Sequence, residues 1–199
     1  MLRGAVLRIV GVFLGAASFG AQATVLGVQA DGSSQRRSTE PVGSRMRSNR
    51  ATHDDVEWPH VIIKDVYTRD AAKRSLSRAH EWLAKPVCQS LFSEFHDERG
   101  LPLTERLRDL SATPQSYLQL VYFLDGEQSR ACNIDRVLAF TEPGSRVVYL
   151  CGRYFERASR RDAREVQATI IHEVLHSLGL GENPPSPGYI TYRVRSLCW

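Results

Sequence analysis

The sequence predicts an α+β fold in which a small sheet, mixed or antiparallel, packs on helices. Three observations predict it. Short runs rich in β-branched and aromatic residues alternate with segments of helical spacing. A turn-rich segment between two such runs predicts a hairpin, and a long amphipathic helix is predicted near the C-terminus. At 199 residues, with 42% hydrophobic and 24% charged residues, the chain is long enough for one domain with a sizeable core.

The N-terminus has the features of a cleavable signal peptide, predicted over residues 1–23. Arg3 and Arg8 precede an uncharged apolar run, which ends at the small-x-small sequence Ala21-Gln22-Ala23. An uncleaved membrane anchor is the alternative, but the apolar run is shorter than the roughly twenty residues that a membrane span needs. We therefore expect a secreted or periplasmic protein with no stable membrane span after cleavage.

Residues 24–57 differ in composition from the remainder of the chain. They are rich in Ser, Arg, Gly and Gln and poor in large apolar residues, which predicts a disordered linker or a propeptide. The folded domain is predicted over residues 58–199. No Lys/Arg cluster is interleaved with aromatic residues, so the sequence does not favour nucleic-acid binding.

The first half of the domain is predicted to be mainly helical after one strand. Residues 60–67 form an apolar, β-branched run that predicts the first strand. Helical spacing follows over 70–83, and Pro86 forces a break. Further helices are predicted over 87–95 and 103–110.

The second half is predicted to contain the hairpin and the long helix. A strand is predicted over 117–123, ending at a turn. Residues 136–141 and 146–151 flank the turn 142–145 and predict a hairpin. A helix is predicted over 159–178, with Ser159 and Asp162 spaced as a variant of the capping box.

Four cysteines follow the predicted signal peptide: Cys88, Cys132, Cys151 and Cys198. An even number in an exported chain predicts two disulfides, and the absence of a C-x-x-C pair disfavours a cysteine zinc site. Cys132 and Cys151 flank the predicted hairpin, so antiparallel pairing would bring them close together. Cys88 and Cys198 would then form the second bridge, and a Cys88–Cys132 bridge is the alternative to be tested.

The run His172-Glu173-Val174-Leu175-His176 lies within the predicted long helix. Two histidines four residues apart share one helix face and can bind a single zinc ion. Glu173 would lie beside the metal, where a carboxylate can take a proton from a zinc-bound water. An ordinary amphipathic helix with two exposed histidines is the alternative interpretation.

The rest of this helix supports the metal interpretation. An apolar arc is formed by residues 170, 171, 174, 175 and 178, and the two histidines lie roughly opposite its centre. We therefore expect one face to pack on the core and the other to open toward a cleft. Gly179 marks the predicted end of the helix.

Residues 172–182 resemble the zincin metallopeptidases, specifically the metzincin branch, whose pattern is H-E-x-x-H-x-x-G-x-x-H. Glu182 stands at the position of the third ligand. The resemblance implies a zincin-like fold with this helix under the cleft, one Zn²⁺ on His172, His176 and Glu182, Glu173 as general base, and a peptide or protein substrate. The chain departs from the branch because no methionine follows Met46, so the methionine turn is missing. We expect the usual C-terminal subdomain to be absent or reduced to one short element after Pro187.

The residues themselves also point to Glu182 as the third ligand. Beyond Ser177 there is no His or Asp, and Glu182 is the only acidic residue there. Gly179 and Gly181 would allow the chain to turn back toward the metal. An upstream ligand, His60 or His96, is the alternative.

The sequence thus predicts a secreted zinc metallopeptidase. A non-catalytic, zinc-stabilised binding module and a zinc hydrolase acting on a non-peptide substrate are the alternatives. Glu173, which is not expected to be a ligand, favours an enzyme, because a structural zinc site takes four protein ligands and needs no base.

Overall fold

The computed structural model describes residues 57–58 and 60–199. The predicted signal peptide and the predicted linker or propeptide, apart from Glu57, lie outside the described residues. Within the described part of the chain, no helix is long and apolar enough to cross a membrane.

The sheet is small and mixed, which confirms the predicted α+β class. Its strands are β1 (Val61–Ile62), β2 (Tyr122–Asp125), β3 (Ala139–Phe140) and β4 (Val147–Leu150). The order is β1-β2-β4-β3, with the first two pairings parallel and the β4-β3 pairing antiparallel. The predicted hairpin is therefore present as β3 and β4, and β3 is an edge strand.

The remaining elements are helices. They are α1 (Val66–Leu83), α2 (Pro86–Gln89), α3 (Leu91–Glu94), α4 (Leu103–Asp109), α5 (Pro114–Leu118), α6 (Gly152–Arg161), α7 (Ala163–Ser177) and α8 (Pro187–Cys198), with a 3₁₀ turn at Arg130–Asn133. Of these, α1 packs on β1, and α7 packs on β3 and β4.

Capping residues explain two differences from the predicted elements. The strand expected over 60–67 is short because Asp65 caps α1, its carboxylate accepting a hydrogen bond from the Thr68 N–H at 2.7 Å. The strand expected over 117–123 is wrong for residues 117–121, and β2 begins only at Tyr122. Thr113 and Ser116 form a capping box there, and the helix that they start contains Tyr117.

The long helix expected over 159–178 is two helices. Asp162 ends α6 and caps α7, accepting hydrogen bonds from the backbone N–H groups of Arg164 and Glu165. Ser159 lies inside α6 and donates to the Glu156 carbonyl, so the predicted capping box is wrong. The non-helical backbone at Asp162 therefore separates α6 from α7, the helix that carries the two histidines.

Helix α7 is the central element of the domain. It packs against α1, α6 and α8 and against strands β3 and β4. The side of α1 toward the core carries the small residues Ala71, Ala72 and Ala79, all fully or almost fully buried. Small side chains allow α1 and α7 to pack closely. Because α7 also packs against α6, α8 and two strands, the helix that carries His172 and His176 is enclosed on several sides.

Two disulfides are present, Cys88–Cys198 and Cys132–Cys151. The first joins α2 to the end of α8 across 110 residues of sequence, and the second spans 19 residues. In the same region the Lys85 ammonium donates to the Cys198 carbonyl at 3.0 Å. These bonds hold the last helix against the first half of the domain.

We expect the double variant Cys88→Ala/Cys198→Ala to lose more stability than Cys132→Ala/Cys151→Ala. Loop-closure entropy predicts a loss of about 5 kcal/mol for the longer loop and about 3 kcal/mol for the shorter one. Chemical denaturation of both variants and the parent measures this. An equal loss, or a larger loss for the Cys132/Cys151 variant, would contradict the entropic account.

Candidate metal centre

Three side chains converge at the C-terminal end of α7. His172 and His176 lie one turn apart, with their Nε2 atoms 2.9 Å from each other. The Glu182 Oε1 atom lies 3.1 Å from the Nε2 of His176 and 3.7 Å from that of His172. One ligand atom from each residue lies within 4.8 Å of the others, the only such group of three found in the described part of the chain.

His60 and His96, the alternative candidates for the third ligand, lie outside this group. His60 packs against the ring of Tyr122, with ring centroids 4.3 Å apart. His96 is exposed and forms an isolated bridge with Pro102. Neither belongs to the group of three.

Hydrogen bonds at Nδ1 orient both imidazoles. His176 Nδ1 lies 2.7 Å from the Leu180 carbonyl oxygen, and His172 Nδ1 lies 3.0 Å from the Thr191 hydroxyl. A carbonyl only accepts, so the proton of His176 is on Nδ1 and its Nε2 carries a lone pair. Burial, with a smaller contribution from His176, lowers the pKa of His172 to about 3, so this imidazole is neutral.

The chain segment after α7 brings Glu182 to the histidines. Gly179 has φ +111°, a backbone conformation that residues other than glycine rarely adopt. A Cβ atom at this position would lie 3.2 Å from the Cβ of Asp97. The Glu98 N–H donates to the Gly179 carbonyl at 3.2 Å. The turn is therefore packed against the loop that follows α3. Glu182 itself is partly open to solvent, with 41% of its side chain exposed.

Glu173 is buried on the same helix and faces the cleft. Burial raises the pKa of its carboxyl group to about 8, and the negative charge of Glu182 adds to this effect. A backbone hydrogen bond from Thr141, at the end of β3, acts in the opposite direction. A cation held beside Glu173 would favour the charged form of its carboxyl group.

The cleft has a volume of about 270 Å³. Its lining comprises Ala139, Phe140, Thr141, Pro143, Glu173, His176 and Glu182. The expectation that the whole histidine face opens to a cleft is only partly right. Helix α8 packs against α7, and Thr191 of α8 contacts His172, so 9% of the His172 side chain and 5% of the His176 side chain is exposed.

The donor set fits zinc. Two neutral imidazole nitrogens and one carboxylate form the His₂Glu combination found in catalytic zinc sites, in which a further position stays open. The two Nε2 atoms are close enough that they need either a shared proton or a cation between them.

Residues 79–185, more than half of the chain, match the aspzincin family, described as lysine-specific metallo-endopeptidases. The chain belongs to the aspzincin family. This membership supports a zinc metallopeptidase, as the sequence resemblance implied, but the metzincin-like H-E-x-x-H-x-x-G-x-x-E variant is not confirmed by it. Comparison with curated proteins and with solved structures gave no match.

Three contacts of the site were missed by sequence reasoning: Thr141 on Glu173, Leu180 on His176 and Thr191 on His172. Leu180 follows the predicted helix end closely and could have been suspected. No spacing rule connects Thr141 or Thr191 to the histidine motif, because each belongs to an element that reaches the site only by tertiary packing.

Proposed function

We propose that the chain is an exported zinc metallopeptidase that hydrolyses peptide bonds. His172, His176 and Glu182 hold one zinc ion, and Glu173 is the general base. The observation that carries the proposal is the convergence of three ligand atoms beside a buried carboxyl group that is not one of them. Family membership supports the same activity.

Zinc supplies Lewis-acid chemistry when bound, since it lowers the pKa of a coordinated water and polarises a carbonyl group. The protein supplies the proton transfers. Glu173 accepts a proton from the attacking water and passes it to the leaving amine. Thr141 holds the Glu173 carboxyl group at the cleft through its backbone, so the base is positioned against the edge of the sheet.

The edge strand β3 is suited to hold an extended peptide. One side of β3 pairs with β4, and the other has no strand partner among the described strands. Edge strands present unpaired N–H and C=O groups that can pair with an added strand. β3 also contributes Ala139 and Phe140 to the cleft, which Glu173 lines as well. A peptide paired with the free edge of β3 would therefore lie next to Glu173.

The ligand order and the location are also part of the proposal. Glu182, six residues after His176, provides the third ligand in the metzincin-like order. Two disulfides are typical of exported proteins, which supports a secreted or periplasmic location reached through the signal peptide of residues 1–23.

Metal analysis and a peptide-library assay of the purified mature protein test this function. We expect one zinc per chain, cleavage that a chelator abolishes, and recovery when zinc is added back. Because Ala139, Phe140 and Pro143 line the cleft, we expect apolar residues to be favoured next to the cleaved bond. Bound zinc without cleavage of any peptide would favour the non-catalytic binding module, and cleavage unaffected by chelation would refute the zinc mechanism.

A further inference from the structure

His172 and His176 differ in what holds their Nδ1 atoms. The partner of His176 is the backbone carbonyl of Leu180, within the turn that follows α7. The partner of His172 is the side-chain hydroxyl of Thr191, 19 residues along the chain on α8. The orientation of His172 therefore depends on a separate helix and on one replaceable side chain.

The chemistry of the two partners differs as well. A carbonyl oxygen accepts only, so it allows one tautomer of His176, the one with the Nε2 lone pair free. A hydroxyl group can donate or accept, so Thr191 can satisfy either tautomer of His172. Without a metal, His172 can donate from Nε2 to the bare Nε2 of His176, 2.9 Å away, while Thr191 donates to Nδ1.

A metal on Nε2 requires the other tautomer. The His172 proton must then be on Nδ1, and the Thr191 hydroxyl must rotate to accept it. We propose that Thr191 is a positioning residue for metal binding, whose hydroxyl accepts the Nδ1–H of His172 and so selects the tautomer that presents Nε2 to the metal. This inference rests on the proposed zinc site.

Helix α8 is held in the place that this role requires. The Arg193 guanidinium makes two hydrogen bonds to the Glu94 carboxylate on α3, at 2.6 and 2.7 Å. Arg195 forms an ion pair with Glu165 of α7, and Cys198 is bonded to Cys88. These contacts, all on the C-terminal side of Thr191, hold α8 against α2, α3 and α7 and so keep Thr191 beside His172.

Two variants of Thr191 distinguish the hydrogen bonding of its hydroxyl group from the packing of its side chain. Thr191→Val keeps the shape and removes the hydroxyl group, and Thr191→Ser keeps the hydroxyl group. Zinc affinity is measured by competition with a chelator, and the ligand geometry by the visible absorption of the Co²⁺-substituted protein. We expect Thr191→Val to bind zinc about 10–100-fold more weakly, with an altered Co²⁺ spectrum, and Thr191→Ser to stay near the parent.

Thr104→Val on α4 is the matched control, expected to bind zinc like the parent. Melting of every variant in excess chelator shows whether the metal-free fold is kept. If Thr191→Val binds zinc as tightly as the parent, or if Thr191→Ser is as weak as Thr191→Val, the proposed role is wrong. A parent protein that binds no zinc would instead refute the proposed zinc site, so the two failures are distinguishable.

Discussion

Glu173→Gln should lower peptide hydrolysis by about 10²–10⁴-fold or more while the protein still binds zinc. The amide is nearly the same size as the carboxylate, so the buried site and its contact with the Thr141 backbone can be kept. What is lost is the ability to accept a proton. The group of His172, His176 and Glu182, which is proposed to bind the zinc, is unchanged. Turnover of a cleaved library peptide and zinc content per chain are the two measurements.

Glu105→Gln is the control for this variant, since Glu105 lies on α4, has 39% of its side chain exposed and pairs with Arg108 in the same helix. Exposed pairs of this kind contribute little. We expect Glu105→Gln to retain the parent's turnover. If Glu173→Gln turns over substrate at the parent's rate, Glu173 is not the general base. A loss of zinc together with activity would show that Glu173 supports the metal instead.

Glu182→Ala should weaken zinc binding by about 100-fold or more, comparably to His176→Ala. This is more than the 10–100-fold typical of outer-sphere partners, because a ligand itself is removed. The carboxylate lies 3.1 Å from the Nε2 of His176 on a turn that Gly179 permits. Chelator competition at fixed pH measures the affinity.

Glu98→Ala separates ligation from the general effect of a nearby negative charge. Glu98 is exposed and its side chain lies next to Gly181, adjacent in sequence to Glu182. We expect Glu98→Ala to bind zinc nearly as well as the parent. Parent-like affinity in Glu182→Ala would reject Glu182 as a ligand, and equal losses in Glu182→Ala and Glu98→Ala would indicate a long-range charge effect.

The core of the candidate site could be proposed from sequence because its members are close along the chain. His172, Glu173 and His176 lie within two turns of one helix, and helical geometry alone determines their spacing. Glu182 follows after a glycine turn short enough to limit where it can go. Thr191 and Thr141 could not be proposed in the same way, since they approach the site from α8 and from the end of β3.

The predicted elements failed where capping competed with apolar periodicity. Residues 117–123 have a strand-like composition, but Pro114 and the capping box of Thr113 and Ser116 start a helix through Tyr117. Asp162 likewise divides the predicted long helix into α6 and α7. In both places a few hydrogen bonds at a helix end decided the local structure, while the apolar pattern specified only which residues are buried.

The sequence by itself determined the α+β class, the hairpin of β3 and β4, and the motif that puts two histidines on one helix face. These features depend on periodicity, turn residues and local spacing, which can be recognised in the sequence without knowledge of the fold. Tertiary structure alone decided that β1 and β2 pair in parallel, that α8 packs on α7, and that Thr191 and Thr141 reach His172 and Glu173. These are contacts between segments that are distant in sequence. They form because folding buries apolar surface and because buried polar groups need hydrogen-bond partners, and both requirements depend on the complete fold.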